Sequence, residues 1–249
     1  VLERELSIEA RPETVFAFFE QSALWASWWG AGSRIEPRVG GALLIRHPNG
    51  VEVVGEVTAI DPPRSIEFTY GYASGAPIGP GGSRVRIELH AEPAGTRLRL
   101  HHVFGDPATR DLHVQGWRFQ LSLFANRVAD HVAAGATDAV DAWFAAWSEP
   151  DAAARSAAFS RLAAPEVRFR DRFSRLDGLA ELLPHVEAGQ RFMPGMRLAR
   201  RGEVRHCQGT LLADWTATGP DGAARGRGTN VFHLDADARF TAVVGLWEA

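Results

Sequence analysis

The sequence predicts an α+β protein of two domains, spanning 1–134 and 138–249, and three observations predict it. Segments with strict apolar/polar alternation recur in both halves, separated by Gly, Pro and Asp turns such as HPNG, DPPR, GPGG and EPAG. Runs with helical spacing accompany them, the longest from about Asp111 to Ala133. The order strand, helix, meander, long helix is then followed by a fresh start, and HVAAGATDA, around residues 131 to 139, is the joint. A chain of 249 residues holds two ordinary domains without strain on either core.

The first domain opens with an alternating strand in RELSIEA, and Pro12 marks a helix start with Val15, Phe16 and Phe19 on one face. GALLIRHP, VEVVGEVTAI, SIEFTYGYA, SRVRIELHA and TRLRLHHVF follow as the strands of an antiparallel meander. The long helix closes the domain with Trp117, Leu121, Phe124 and Val128 at helical spacing. In the second domain an Ala-rich stretch from DAVDAWF onward predicts one or two helices burying Val140, Phe144, Trp147 and Phe159. PEVRFRDRFS is the first strand there, LDGLAELLPHVEAG a short helix, and four alternating stretches from MRLARRGEVRH to FTAVVGLWEA complete a second meander. No sequence repeat relates the halves.

Composition excludes several function classes. The formal charge is −3 and no basic block stands out, which argues against nucleic acid and anionic membranes as partners. The single cysteine, Cys207, permits neither an internal disulfide framework nor a thiolate cluster. The N-terminal residues lack a signal-peptide layout and no apolar run is long enough to span a bilayer, so a cytoplasmic protein is expected. Every basic side chain apart from histidine is Arg, which excludes a Schiff-base lysine and reads as the bias of a GC-rich bacterial genome.

Residues 4–133 resemble the Aha-type heat-shock ATPase activator homologues of the START-related, helix-grip superfamily. The resemblance rests on PETVF (12–16), WASWWG (25–30), VGGAL (39–43), GEVTAIDPPRSIEFTY (55–70), GTRLRL (95–100) and the pair GW (116–117). It implies a curved antiparallel sheet gripping the long C-terminal helix, with an apolar pocket between them. Alternation places Ile66, Phe68, Tyr70 and Tyr72 of one strand, and Leu98, Leu100, His102 and Phe104 of another, on the face that would line it. Tyr70, Tyr72 and His102 are the polar handles, read either as ligand contacts or as core residues with satisfied hydrogen bonds. His101 and His102 point to opposite faces of a strand and cannot chelate one ion together, so no metal is expected.

In PEVRFRDRFS, Val167, Phe169 and Asp171 fall on one face of the strand and Arg168, Arg170 and Arg172 on the other, which puts a carboxylate on the inward side. Residues 138–249 resemble the SnoaL-like proteins of the nuclear-transport-factor-two superfamily, through APEVRFRD (164–171), LDGLAEL (176–182), GTNVFHL (228–234) and VVGLW (243–247). That resemblance implies a cone-shaped, cystatin-like α+β barrel with an inner cavity. It also implies a general base at Asp171, where related ketosteroid isomerases carry theirs, and an oxyanion partner at Asn230; Trp143 and Phe144 stand near the place of those enzymes' tyrosine. A carboxylate stripped of water in an apolar cone accepts a proton from a carbon beside a carbonyl, and an amide donor stabilises the enolate oxygen that forms. Such a site needs no metal and no cofactor. The alternative for Asp171 is an ion-paired or turn-capping group among its arginines. Trp143, Phe173, Met193, Trp215 and Trp247 read as core. Of these, Trp143, Phe173, Trp215 and Trp247 are carried forward as candidate ligand contacts. His206 and Asp214 form a further candidate acid/base pair, against structural roles for both.

The function expected is binding of a small hydrophobic molecule, with isomerase- or cyclase-like proton transfer in the second domain. The alternative is a non-catalytic ligand-binding or protein-interaction module, including a chaperone-activator-like role. A homodimer through the C-terminal domain is the expected assembly.

Overall fold

The computed structural model describes residues 1–248. The chain divides into two compact units, Val1–Ala129 and Asp130–Ala249.

In the first unit, β1 (Leu2–Ile8) leads to α1 (Pro12–Glu20) and α2 (Ser22–Trp29), then to β2 (Arg34–Ile35), β3 (Ala42–Arg46), β4 (Glu52–Asp61), β5 (Ser65–Tyr72), β6 (Ser83–Glu92) and β7 (Gly95–Val103), and ends in α3 (Pro107–Val132). The seven strands form one antiparallel sheet in the order β1-β7-β6-β5-β4-β3-β2. Thr96, Leu98, Leu100 and His102 of β7 are buried, and α3 buries Trp117, Gln120, Leu121, Phe124 and Val128. Helix α2 is not evident from the sequence, since SALWASWW is short and rich in indoles with modest helix propensity. What makes it a helix is burial: Trp25, Trp28 and Trp29 share one face at helical spacing and sink into the core. There the rings of Phe19, Trp28 and Phe124 contact one another, and Phe68 meets Trp25 edge-on.

The second unit takes in the last residues of α3, from Asp130, then a 3₁₀ turn (Ala133–Gly135), α4 (Ala136–Ser148), α5 (Ala152–Leu162), β8 (Ala163–Arg170), β9 (Arg175–Asp177), α6 (Leu179–Phe192), β10 (Arg197–Cys207), β11 (Thr210–Thr218), β12 (Ala224–Leu234) and β13 (Phe240–Trp247). Its sheet has the order β10-β11-β12-β13-β8-β9, with β13 and β8 parallel and every other pair antiparallel. Asp151 caps α5 by accepting a hydrogen bond from the Ala154 N–H at 2.7 Å. Trp143 is wholly buried, with Phe159, Phe232 and Phe240 edge-on to it at 5.0, 6.1 and 5.5 Å. Strand β9 is the piece the sequence hides, because three residues of RLD carry too little alternation to register. Among the described residues no helix is long and apolar enough to cross a membrane.

Candidate functional site

Strand β8 carries its alternation into the site. Val167 and Phe169 are buried while Arg168 is exposed, and Arg170 turns to Asp177, whose carboxyl the guanidinium holds below the usual carboxylate range. β8 and β9 are joined by the four residues Asp171–Ser174, closed by the Asp171 N–H donating to the Ser174 carbonyl at 3.0 Å. Asp171 is half-buried. Its Oδ1 accepts the Phe173 N–H at 2.8 Å, the local bond by which Asp favours such turns. Its Oδ2 faces the Trp247 indole N–H at 3.4 Å, a long and weak contact. Among the described residues no arginine pairs with it, and Arg172 lies over the Phe173 ring instead. Asp171 therefore caps its turn and keeps one oxygen for the interior.

The cross-strand register sets its neighbours. Asn230 of β12 stands opposite Gly245 of β13 and Ala213 of β11, and residues in register share a face of the sheet. A Cβ placed on Gly245 would lie 3.2 Å from Asn230 Oδ1 and 3.3 Å from Asp171 Cβ, so this glycine is the gap between the carboxylate and the amide. Asn230 is only 6 % exposed, and its side chain has no hydrogen-bond partner among the described residues. One register step along, Trp215 of β11 and Trp247 of β13 flank Gly228, and their rings meet edge-on at 4.9 Å. A Cβ at Gly228 would come within 2.9 Å of the Trp215 ring, so the bare glycine is what lets the indole lie there.

These residues line one wall of a cavity of about 770 Å³. Helices α4 and α6 supply the facing wall through Phe144, Trp147, His185 and Val186. The segment after α6 contributes Phe192, Met193, Pro194 and Met196, with Arg225 also at the lining. Phe173, Phe192 and Met193 are 71 %, 85 % and 54 % exposed, so they form an apolar rim; for Phe173 and Met193 this corrects the expectation of core placement. Trp143 takes the core place that is one of its two readings and not that of a ligand contact. It sits inside the core and is not among the lining residues, because the Phe159, Phe232 and Phe240 rings enclose it.

Ser174 and His185 are two of several lining residues that the sequence reading does not single out. Ser174 Oγ and His185 Nε2 are joined at 3.1 Å, linking the turn that holds Asp171 to α6. The other candidate pair does not assemble: His206 meets Asp130 and accepts the Gly209 N–H at 2.9 Å, while Asp214 accepts the Thr229 hydroxyl at 2.6 Å. Cys207 is exposed, and among the described residues no group of three or more His, Cys, Asp or Glu could hold a metal.

In the first unit the polar handles are engaged with one another. The Trp117 Nε1–H donates to His102 Nδ1 at 2.9 Å, so the ring proton sits on Nε2 and donates to Ser83 Oγ at 2.8 Å, whose own hydroxyl donates to the Tyr70 carbonyl at 2.8 Å. Burial pushes the His102 imidazole down to about 3, with nearby His113 adding to the effect. Tyr70 is driven upward by burial and then by Tyr72. Tyr72 meets His113 Nε2 at 3.0 Å, and His113 Nδ1 meets the Thr109 carbonyl at 2.7 Å. This arrangement is that of satisfied core groups.

The model of the family described as activator of Hsp90 ATPase homolog 1-like protein matches residues 9–129. The first unit is similar to that family. Its antiparallel sheet and long helix α3 agree with the helix-grip fold expected of an activator-like unit. Among solved structures, an AHSA1 protein from Silicibacter pomeroyi is 29 % identical, covering 50 % of this chain and 94 % of that one with a TM-score of 0.41. A putative isomerase of the SnoaL-like family from Agrobacterium tumefaciens is 25 % identical, covering 45 % of this chain and 97 % of that one with a TM-score of 0.44. The Aha1 dimer from Colwellia psychrerythraea is 20 % identical, covering 49 % and 91 % with a TM-score of 0.42. No curated protein matches the chain.

Proposed function

We propose that the second unit binds a small hydrophobic carbonyl compound and transfers its α-proton to Asp171. The observation that carries this reading is the buried Asn230 amide, without a partner, set across Gly245 from the Asp171 carboxylate on the wall of an otherwise apolar cavity. The amide faces the cavity, so its donors are open to a ligand, and a ligand carbonyl oxygen can take them up. The oxygen then gains negative charge as the C–H bond breaks, and the Asn230 N–H groups stabilise it. Asp171 Oδ2 is the oxygen free to take the proton, since Oδ1 is held by the turn. The volume suits a ligand of one to a few rings, within the roughly 300–1,000 Å³ of small-molecule sites. The Trp215–Trp247 pair and the rim at Phe173 supply the apolar contact surface.

The turn-capping bond of Asp171 favours a second reading, in which the unit binds a ligand without turnover and the carboxylate serves the loop. Native mass spectrometry of small molecules retained by the full chain separates the two, comparing wild type with Asp171→Asn. The expected result is a hydrophobic carbonyl compound held by both proteins and converted by wild type alone. Equal conversion by Asp171→Asn would discard the base assignment, and retention without conversion by either would leave the binding reading.

A further inference from the structure

Strand β12 departs from strict pairing at one end. Ala217 of β11 stands opposite Gly226 and Thr218 opposite Ala224, so Arg225 is an extra residue without a partner across the ladder, a β-bulge. Asn230 lines the cavity, and Gly228 and Gly226 before it meet the Trp215 and Trp247 rings. Alternation from these positions would turn Arg225 to the opposite face, with Arg227 and Thr229. The bulge re-aims the side chain, and Arg225 joins the cavity lining. The β11–β12 turn then holds it there. Asp221 Oδ2 accepts from Arg225 Nη2 at 2.6 Å, while Asp221 Oδ1 accepts the Ala223 N–H at 3.1 Å. A Cβ on Gly219 would lie 2.8 Å from Arg225 Nε, so the bare glycine gives the guanidinium its room against the turn. The Arg225 side chain is 50 % exposed, which puts it at the mouth of the cavity.

We infer that Arg225 binds an anionic group of the ligand at the cavity mouth, so that the ligand is an amphiphilic acid; the inference rests on the reading of this cavity as a ligand site and not on any turnover there. Among the described residues that line the cavity, Arg225 carries the one permanent positive charge and Asp171 the one carboxylate. The two charges stand well apart: Asn230, which borders Asp171 across Gly245, is five residues along β12 from Arg225, roughly 15 Å of strand. Asp221 does not consume the arginine. An exposed ion pair holds its charges weakly, and among the described residues Nη2 is the one guanidinium nitrogen it engages. The remaining N–H groups keep the planar fork that suits an oxyanion. An anion held there stays in touch with water while the apolar body of the ligand lies along Trp215 and Trp247. The reverse orientation would set the anion beside the Asp171 carboxylate between apolar walls, two like charges without water. The hydrophobic carbonyl compound is thereby narrowed to one that carries a carboxylate, sulfonate or phosphate at the end away from its carbonyl.

Two dyes of one skeleton test this on the full chain by fluorescence titration: N-phenyl-1-naphthylamine, which is neutral, and 1-anilinonaphthalene-8-sulfonate, which adds a sulfonate to the same rings. Arg225→Gln is expected to raise the Kd of the sulfonate about tenfold, the loss of one hydrogen bond to a charged group, and to leave that of the neutral dye within about twofold. Arg227→Gln is the control for net charge, since Arg227 lies two residues along, pairs with Glu248 and is not in the lining. It is expected to move neither dye by more than about twofold, as for an exposed ion pair. Asp221→Asn keeps an acceptor for the Ala223 N–H and removes the competing charge, so the sulfonate should bind about threefold tighter. This variant decides the matter should Arg225→Gln lose its fold by circular dichroism. An unchanged sulfonate Kd in folded Arg225→Gln, an equal loss in Arg227→Gln, or no tightening in Asp221→Asn would overturn the inference while leaving the cavity as a ligand site. No saturable binding of the neutral dye by wild type would remove the ligand-site reading, and this inference with it.

Discussion

Gly245 lies between Asp171 and Asn230 on the cavity wall. Its backbone makes no conformational demand that only glycine could meet; what matters is the absent side chain. Gly245→Ala would set a methyl 3.2 Å from Asn230 Oδ1 and 3.3 Å from Asp171 Cβ, contacts that need a shift of a few tenths of an ångström. The expected outcome is a fold that survives, with a melting temperature near that of wild type, and α-proton exchange of a ketone probe in D2O, followed by NMR, reduced about tenfold; the methyl then blocks the carbonyl rather than the sheet. The inward face of Asp171 is legible from the period of its strand, because Val167 and Phe169 mark that face two and four residues earlier. Ser174 and His185 are not legible in that way. Their meeting depends on how α6 lies against the β8–β9 turn, a tertiary relation that no period in RFS or LPHVEAG encodes.

At the scale of elements, the buried His102 ties three strands and a helix together. Trp117 of α3 donates to it, it donates to Ser83 of β6, and Ser83 reaches the backbone of β5. Protonating Nδ1 would set two donors against each other, so the folded state holds the ring neutral down to about 3. The unfolded chain binds that proton near the ordinary value of about 6.5, so the contribution is complete above that pH and is lost as pH falls from there toward about 3, by up to about 1.4 kcal/mol per pH unit. His47, also pushed down by burial, acts with the same sign. Urea unfolding of the full chain at about pH 7, 6 and 5, which straddle the ordinary histidine value, is expected to give falling midpoints for the first unit, with a shallower fall in His102→Gln. A pH-independent midpoint across that range would dismiss the neutral-histidine account. The meander and the long helix are plain in the sequence because alternation and helical spacing run over many residues. Helix α2 and strand β9 are hidden because each is too short for a period, and burial of three indoles or pairing with β8 decides their form.

For the whole molecule, two units with separate cores carry unequal chemistry. In the first, Tyr72, Ser83, His102 and His113 are engaged with one another and with neighbouring groups by internal bonds, whereas the second leaves an amide and a carboxylate facing a cavity. The outer face of the second sheet carries Leu212, Val231 and Val244 in one register row, with Leu246 exposed nearby. A second copy covering that row is the expected assembly, and light scattering at micromolar protein should return twice the chain mass of 27.2 kDa; a monomer would set the expectation aside. The chain contains two methionines, and Met193 and Met196 both line the cavity. Thioether oxidation adds one oxygen atom per residue and favours exposed sulfur. In a Cys207→Ser chain, which lacks the exposed thiol that would gain oxygen of its own, the mass gained by the intact protein under mild peroxide, counted in oxygen atoms, therefore reports on the cavity mouth: an occupant lying against the rim slows the gain, and its departure restores it, with no label attached to the protein.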